Sequence, residues 1–420
     1  MNPNNRGAPV SSGQTADWKK KTVLFIGSQT SSMFGSMLVG YAIIWHVTLT
    51  TESGSAMMIA TLVSFLPQIL ISIFAGVWAD RFNRKLMIIG ADVLTAVSTL
   101  ILAIAFLLDY QELWLIFLIA GIRSLGAGIQ TPAVNSLTPQ IVPGEQLMRV
   151  NSINATVQPF IQILSPIISG AMLSLARVEY LFFLDLITAA IAVGLLLATR
   201  VAPQPQDEDQ PKGYFDDLRA GLTYVRETNA VRGLFTYFAF TFFLVAPVAF
   251  LSPLLVARSY GEEVWRLTAN EITFFGGSIL GGILMTAWGG FSNRFRTLGL
   301  TTVMWAVFLT ALGLSRDFVL YLVIMVLVGL PMPFFNASAT TLLQELAPPE
   351  MHGRVFGVQG LIIGSVMPLG MLVFGPIADT VRIETLLVIS GLLMALPGLW
   401  IFFKRYTLKP VAKYEMQAGD

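Results

Sequence analysis

The sequence contains no cysteine among its 420 residues. Disulfides, thiolate nucleophiles and cysteine-ligated metals are therefore excluded, and cysteine usage says nothing about the redox compartment. Histidine is almost as scarce, because only His46 and His352 are present and they lie far apart in the chain. Two distant histidines argue against a metal site. We therefore expect the protein to need no metal and no other cofactor.

Charged residues are also few. Asp, Glu, Lys and Arg make up 12% of the chain, whereas hydrophobic residues make up 55%. A soluble domain usually carries about twice that share of charge. The mean hydropathy of +0.70 shows more apolar side chains than one water-soluble core could bury, so the surplus must face lipid. The net charge of +1 argues against a nucleic-acid partner.

Twelve apolar segments are each long enough to cross a bilayer, which takes roughly 20 residues per helix. They cover residues 22–47, 54–78, 86–108, 113–138, 153–177, 180–199, 231–257, 268–290, 297–315, 317–341, 355–379 and 382–403. The breaks at residues 177–179 and 316–317 are short. The segments predict an all-α integral membrane protein with twelve transmembrane helices.

The distribution of Lys and Arg supports this number of helices. With the N-terminus inside, 20 of the 26 cations fall on the inner face, 5 fall on the outer face, and Arg123 falls within a helix. Such an excess is the positive-inside bias of multi-pass proteins. We therefore expect a protein of the cell membrane (inner or plasma membrane) with both termini in the cytoplasm.

The remaining residues divide the chain into two halves. We predict a flexible cytoplasmic tail at 1–21, a six-helix half at 22–200, a linker at 201–230, a second six-helix half at 231–403 and a tail at 404–420. Within the linker, apolar residues recur at helical spacing among charged ones. They are Phe215, Leu218, Leu222 and Val225. This spacing predicts an amphipathic helix on the inner membrane surface.

The halves also repeat in sequence. Residues 140–150 resemble residues 345–355, with Pro, Glu, Arg and Val at matching positions. A second match aligns Gly76, Asp80 and Arg81 with Gly289, Asn293 and Arg294. A duplication whose copies both start inside predicts pseudo-symmetric halves related by an axis along the membrane normal. The substrate site of such an arrangement lies between the halves.

Charge is concentrated in one loop, between the second and third segments. It reads Gly76-Val-Trp-Ala-Asp80-Arg81-Phe-Asn-Arg84-Lys85. The cations could simply hold the topology of a cytoplasmic hairpin. Alternatively the stretch is a gate, in which Gly76 permits close helix approach, Asp80 pairs with a neighbouring helix end, and the cations lock one conformation.

This stretch resembles motif A of the major facilitator superfamily. Two further stretches, Arg123-x-x-Gly126-x-Gly128 and Ser165-Pro166-x-x-Ser169-Gly170, resemble motif B and a degraded antiporter motif C with serines in place of glycines. The sequence at 216–224 resembles the exporter branch that includes macrolide-efflux and enterobactin-export proteins. The resemblance covers residues 20–405. It implies the major facilitator fold, and an Asp80 and Arg84 that pair across to the second half in the outward-facing state.

Arg123 is the most informative single residue, because it lies about ten residues, or roughly 15 Å, into the fourth segment. A cation at that depth needs a partner or a water-filled cavity. It forms either a structural ion pair or, as motif B implies, a proton-coupling site, which we favour. Asp185 and Asp92 are candidate proton carriers, although Asp92 could instead support the gate. The seventh and tenth segments have no central acid, so we expect no proton site in the second half.

Polar and aromatic side chains predict the walls of a substrate cavity. Asn154, Gln158 and Gln162 recur every four residues and so share one helix face. Aromatic residues in a spanning helix could equally face lipid or pack between helices. The candidate cavity residues are Gln29, Asn154, Gln158, Gln162, Tyr237, Phe238, Phe334 and Asn336. Such a cavity suits a bulky amphipathic molecule better than a sugar or an inorganic anion.

These features favour a monomeric secondary active exporter of hydrophobic or amphipathic small molecules, such as macrolide-like drugs or siderophores. Protons would drive it, and its surroundings would be membrane lipid. A facilitator of the same fold, or a carrier for lysophospholipid or solute uptake, stays open as an alternative. An enzyme or receptor is disfavoured, because the sequence has no phosphate loop, no His-Glu-x-x-His motif, no nucleophile elbow and no large soluble domain.

Overall fold

A computed structural model describes residues 12–201 and 214–403, and the side chains of all of these except 12–17, Asp80 and 214–218. Within these residues the chain is helical and has no strand. Twelve spans are long and apolar enough to cross a membrane, as predicted. The tail at 404–420 and most of the linker lie outside the described residues.

The helices follow one another through short connections. They are α1 (Ser12–Thr51), α2 (Gly54–Arg81), α3 (Arg84–Leu107), α4 (Leu113–Ile141), α5 (Leu147–Leu175), α6 (Glu179–Ala198), α7 (Tyr214–Glu227), α8 (Asn229–Tyr260), α9 (Val264–Trp288), α10 (Arg294–Leu314), α11 (Phe318–Gly329), α12 (Pro331–Leu346), α13 (His352–Ile377) and α14 (Ile383–Phe403). We call α1–α6 the first half and α8–α14 the second half. The membrane side where α1 begins and α14 ends is the terminal side, and the other is the opposite side.

Two helix boundaries differ from the prediction. The first helix begins at Ser12, so residues 12–21 continue α1 instead of forming a flexible tail. The tenth span is divided into α11 and α12 at Leu330 and Pro331, where proline opens a new helix. Proline is favoured at the first position of a helix because its missing N–H has no intrahelical partner there. Both short breaks, at residues 177–179 and 316–317, separate helices as expected.

Matching local structures support the predicted duplication and correct its register. A 3-10 turn follows Pro143 before α5, and an equivalent turn follows Pro348 before α13. Asn83 caps α3 and Asn293 caps α10, each accepting a hydrogen bond from a backbone N–H of its helix. Asn293 therefore corresponds to Asn83, 210 residues earlier, and does not replace Asp80 as the sequence alignment had it.

The predicted linker helix is present as α7, and it packs against protein on part of its surface. Gly221 lies against the backbone of Arg354 in α13, and the Tyr224 hydroxyl donates a hydrogen bond to the Leu346 carbonyl over 3.1 Å. Leu222 stays 50% exposed. The position of α7 on a membrane surface remains a prediction.

Close helix approach within the second half depends on glycine. A Cβ atom at Gly277 of α9 would meet the carbonyl oxygen of Val326 in α11, and one at Gly281 would meet that of Leu330. Such small-residue contacts let membrane helices pack backbone to backbone. The neighbouring Gly276 faces open space, where an added Cβ atom would meet nothing within 4 Å.

Gly277→Ala should therefore destabilise the protein by about 1–3 kcal/mol, because the added methyl group forces α9 and α11 apart. Gly276→Ala is the matched control and should be neutral or slightly stabilising, since alanine is the better helix former. Thermal unfolding of both variants in detergent measures the difference. Equal melting temperatures for the two variants would contradict this account of the packing.

The two halves are joined on the opposite side by a cluster that we call the latch, formed by Glu52, Ser53, Gly54 and Ser55 of the first half and Arg258, Ala378 and Asp379 of the second. The Asp379 carboxylate accepts hydrogen bonds from the N–H groups of Gly54 (2.6 Å) and Ser55 (3.0 Å) at the start of α2. A carboxylate is stabilised at a helix N-terminus by the unpaired N–H groups and the helix dipole.

Arg258 completes the latch at the end of α8. Its guanidinium donates to the carbonyl of Ala378 over 2.6 Å, to the carbonyl of Glu52, and to Asp379 over 3.4 Å. One cation thus connects the α1–α2 turn of the first half with the α13–α14 turn of the second. Beneath it, the backbones of Gly54 and Gly375 approach closely.

The ionisation of Asp379 strengthens this contact. Partial burial raises the pKa of Asp379, but hydrogen bonds from Ser55, Gly54 and Ser53 outweigh burial and hold the pKa below its ordinary value. A carboxyl group whose pKa is depressed by a contact stabilises that contact above its unperturbed pKa, about 3.9 for Asp, and loses the contribution as the pH falls below it. The latch is therefore fully ionised at neutral pH.

Asp379→Asn should shift the protein toward a conformation with the halves apart on the opposite side. The amide loses the ion pair with Arg258 and the charge at the start of α2, and a hydrogen bond to a charged group contributes about 1.5–3 kcal/mol. Spin labels on Gln111→Cys and Arg316→Cys report the separation, and the chain has no other cysteine to label.

The matched control is Asp317→Asn. Asp317 also caps a helix on the opposite side, but it accepts from Leu320 within its own half. We expect a longer distance between the labels in Asp379→Asn and an unchanged distance in Asp317→Asn. An identical distance distribution in both variants would show that the latch does not hold the halves together.

Candidate functional site

A cavity of about 830 Å³ lies between the two halves. A volume in this range accommodates a drug-sized ligand. Most of its wall is apolar, with many methionine and aromatic side chains. They are Met33, Met37, Met57, Met325, Met332, Met367, Tyr41, Trp45, Phe65, Phe242, Phe250, Phe274, Phe275 and Trp305. Among the described lining residues, two carry a formal charge: Arg123 from the first half and Glu271 from the second.

The opposite-side end of the cavity is covered by packed helices. Ser165, Pro166, Ser169 and Gly170, the predicted motif C-like residues of α5, are all buried. Gly170 lies against Thr268 of α9, so a side chain there would collide with the second half. The Ser169 hydroxyl donates to the Leu38 carbonyl of α1 over 3.4 Å. Together with the latch, this packing separates the cavity from the opposite side.

Arg123 and Asp185 form a buried ion pair at the cavity wall. The guanidinium of Arg123 in α4 donates to Asp185 of α6 over 2.7 Å, and both side chains are less than a tenth exposed. Thr99 of α3 hydrogen-bonds to both partners, and the Ser36 carbonyl of α1 accepts from Arg123 over 3.4 Å. Four helices of the first half therefore meet at one charge pair.

This pairing is the partner arrangement that the depth of Arg123 requires. Removing one member of a buried ion pair leaves the other charge unpaired, which costs about 3–5 kcal/mol. A change in the charge of Asp185, such as protonation, would likewise release Arg123 from its partner. Because Arg123 also lines the cavity, such a change would alter the surface that a ligand meets.

Asp92 lies in a separate polar cluster. One of its carboxylate oxygens accepts hydrogen bonds from Ser32 of α1 over 2.6 Å and from Gln130 of α4 over 2.9 Å. The other oxygen is buried and has no hydrogen-bond partner in the described part of the chain. Asp92 thus joins α1, α3 and α4 near the cavity wall, where Gln130 is a lining residue.

The residues of the motif A stretch lie at the terminal-side ends of helices. Gly76 lies within α2, Arg81 is its last residue, and the side chain of Asp80 lies outside the described residues. Arg84 donates to the carbonyls of Ala79 (2.7 Å) and Ser136 (3.3 Å). Lys85 donates to the carbonyls of Leu197 and Thr199, at the end of α6. These particular hydrogen bonds all lie within the first half, so Lys85 is not the partner of Asp92.

Glu271 is a cavity residue that the sequence prediction missed. It lies in α9, seven residues after Val264, and its carboxylate accepts a hydrogen bond from Asn270 over 3.2 Å. Asn270 is itself fixed by Tyr321, whose hydroxyl donates to the Asn270 amide oxygen over 2.7 Å. Tyr41 of the first half is close enough to interact with Glu271. The expectation that the second half holds no central acid is therefore wrong; an acid inside an apolar segment was the signal.

The predicted cavity residues divide into two groups. Gln162 and Asn336 line the cavity. Gln158 lies at its edge, where its amide contacts the sulfur of the lining residue Met33 over 3.6 Å. Gln29 and Asn154 do not line the cavity in this arrangement of the helices.

The aromatic predictions on α8 and α12 are corrected by the structure. Tyr237 is buried and donates to the Leu298 carbonyl of α10, and Phe238 is fully buried against Phe335. Phe334 packs on Trp288. The α8 face that carries Tyr237 and Phe238 packs on other helices of the second half. The cavity is lined instead by the face that carries Phe242, Val245 and Ala249.

Comparisons with known proteins agree with this architecture. The profile of the Major Facilitator Superfamily matches residues 25–371 and 251–416. Macrolide efflux protein A of Streptococcus pyogenes is 28% identical over 383 residues, covering 90% of this chain and 94% of that protein. The multidrug efflux pump Tap of Mycolicibacterium fortuitum is 24% identical over 395 residues, covering 91% and 94% of the two chains. The enterobactin exporter EntS of Escherichia coli O1:K1 / APEC is 26% identical over 366 residues, covering 84% and 83%.

Solved structures show the same fold. A mutant of the nucleoside transporter NupG superposes with a TM-score of 0.71 at 12% identity, covering 91% of this chain and 100% of that one. A bacterial homologue of the lysosomal transporter Spinster, in an inward-facing conformation, gives a TM-score of 0.66 at 13% identity, covering 94% and 95%. The twelve spans, the cavity between two halves and a profile match over most of the chain lead to one assignment: this multi-pass membrane transporter belongs to the Major Facilitator Superfamily.

Proposed function

We propose that the protein is a secondary active exporter of hydrophobic or amphipathic small molecules, driven by proton antiport through alternating access. The apolar cavity between the halves supports this substrate class, because many methionines and aromatic rings provide an adaptable apolar surface. The efflux proteins among the relatives support the direction of transport. The excess of Lys and Arg on the terminal side supports placing that side in the cytoplasm.

One observation carries the proposal, the buried Arg123–Asp185 ion pair at the cavity wall. A proton that neutralises Asp185 removes the partner of Arg123 and makes the existing packing of α1, α3, α4 and α6 unfavourable. Proton binding and the conformation of the first half are then linked, as alternating access requires. The latch would open when the halves rearrange, so the structure supports a state that is closed on the opposite side.

The functional unit that we propose is a single chain. Both sides of the cavity, including Arg123 and Glu271, come from the same polypeptide. A second copy is not needed to complete the site. The transported molecule, protons and lipid are then the partners of the protein.

Transport in proteoliposomes tests the proposal directly. An imposed pH gradient should drive movement of a fluorescent amphipathic dye by the wild type, and Asp185→Asn or Arg123→Ala should lower the gradient-driven rate at least about tenfold, because a missing ion-pair partner costs several kcal/mol. Arg316→Ala, which removes an exposed cation outside the cavity, is the control and should transport normally. Equal dye movement with and without a gradient would indicate a facilitator.

A double variant separates proton coupling from a structural ion pair. Arg123→Gln with Asp185→Asn removes both charges and should recover much of the stability that either single variant loses. If the pair acts only in folding, transport recovers as well. We expect the double variant to be stable yet uncoupled from the gradient. Gradient-driven transport at the wild-type rate would contradict the coupling role.

A further inference from the structure

Glu271 is the one acidic residue on the described cavity wall, and its surroundings leave its charge uncompensated. Its carboxylate is half-buried and accepts from the Asn270 amide over 3.2 Å, a neutral group. Tyr41, the other polar neighbour, is neutral as well. No Lys or Arg forms an ion pair with Glu271 in the described part of the chain.

The other charge of the cavity cannot serve as its counter-ion. The guanidinium of Arg123 is bound to Asp185 over 2.7 Å and to Thr99, so its positive charge is already matched inside the first half. The lining therefore carries one formal negative charge, located on α9. A carboxylate beside apolar walls attracts a cation more strongly than it would in water, because the effective dielectric constant is lower.

The side chains around this carboxylate suit an organic cation rather than a metal ion. Tyr41 and Trp45 stack with ring centroids 5.3 Å apart, and Phe274 lies one helical turn from Glu271 on the same wall. Aromatic faces attract ammonium groups through their quadrupoles, and methionine side chains adapt to apolar groups. No group of three or more potential metal ligands occurs in the described residues.

We propose that Glu271 determines the charge selectivity of the cavity by binding the protonated amine of a monocationic amphipathic ligand. The apolar body of the ligand lies among the methionines and aromatic rings, and the ammonium group pairs with the Glu271 carboxylate. Tyr41 and Glu271 come from different halves, so an amine held between them contacts both. This inference rests on the proposed function and names the class of substrate that the exporter prefers.

A matched pair of fluorescent ligands tests the proposal. Dimethylaminoethyl dansylamide carries a protonated amine at neutral pH, and isopentyl dansylamide is its neutral isostere with the same fluorophore. Dissociation constants of both ligands are measured on the purified full chain in detergent. The quantity of interest is the preference, defined as the Kd of the neutral ligand divided by the Kd of the amine.

Glu271→Gln should lower this preference by roughly ten- to a hundredfold, the loss expected for one charge-assisted hydrogen bond, while the Kd of the neutral ligand stays unchanged. Glu271→Asp, which keeps the charge, should retain part of the preference. Glu263→Gln is the matched control on the same helix, because Glu263 is paired with Arg266, lies outside the cavity lining and should keep the wild-type preference.

The outcomes distinguish this inference from the proposed function. A preference that does not change in Glu271→Gln overturns the role of Glu271 and leaves the exporter proposal intact. Equal weakening of both ligands in Glu271→Gln also overturns it, since the residue would then be structural. Binding of the neutral ligand alone by the wild type overturns cation selectivity only. Binding of neither ligand by the wild type overturns both proposals.

Discussion

An ionised side chain inside a membrane protein must find an opposite charge or water, and Arg123 meets this constraint through Asp185. The two groups lie 2.7 Å apart, and Thr99 and the backbone of Ser36 complete the site. Because these partners belong to α1, α3, α4 and α6, the pair fixes the arrangement of four helices in the first half. The same pair reaches the cavity wall, so packing and ligand contact depend on one interaction.

The second half is built differently. Glycine contacts, such as Gly277 against Val326, bring α9 and α11 together without charged groups. Its acid at the cavity, Glu271, is supported by the neutral Asn270 and Tyr321 and keeps its charge available. The halves therefore share a fold but divide the electrostatic roles. The latch joins them on the opposite side through Asp379, a carboxylate of one half at a helix start of the other.

The sequence was sufficient for the features that follow from solvation. Apolar length and the bias of Lys and Arg predicted twelve spans, and the depth of Arg123 predicted a buried acid as its partner. Helix faces were harder, because α8 is apolar all round and its hydrophobicity does not distinguish Tyr237, which packs inside, from Phe242, which lines the cavity. Glu271 was missed because it follows closely after Arg266 and so resembles a helix-end charge, although α9 begins earlier, at Val264.

Proton movement caused by a substrate gradient is the measurement that tests the central claim most directly. Proteoliposomes are loaded with a permanently charged amphipathic dye and a trapped pH indicator, with the membrane potential clamped and no pH gradient imposed. If Arg123 and Asp185 couple export to protons, the interior acidifies as the dye leaves through the wild type, and the pH stays constant for the variant that combines Arg123→Gln with Asp185→Asn. Dye that leaves through the wild type without any change in internal pH would contradict proton antiport.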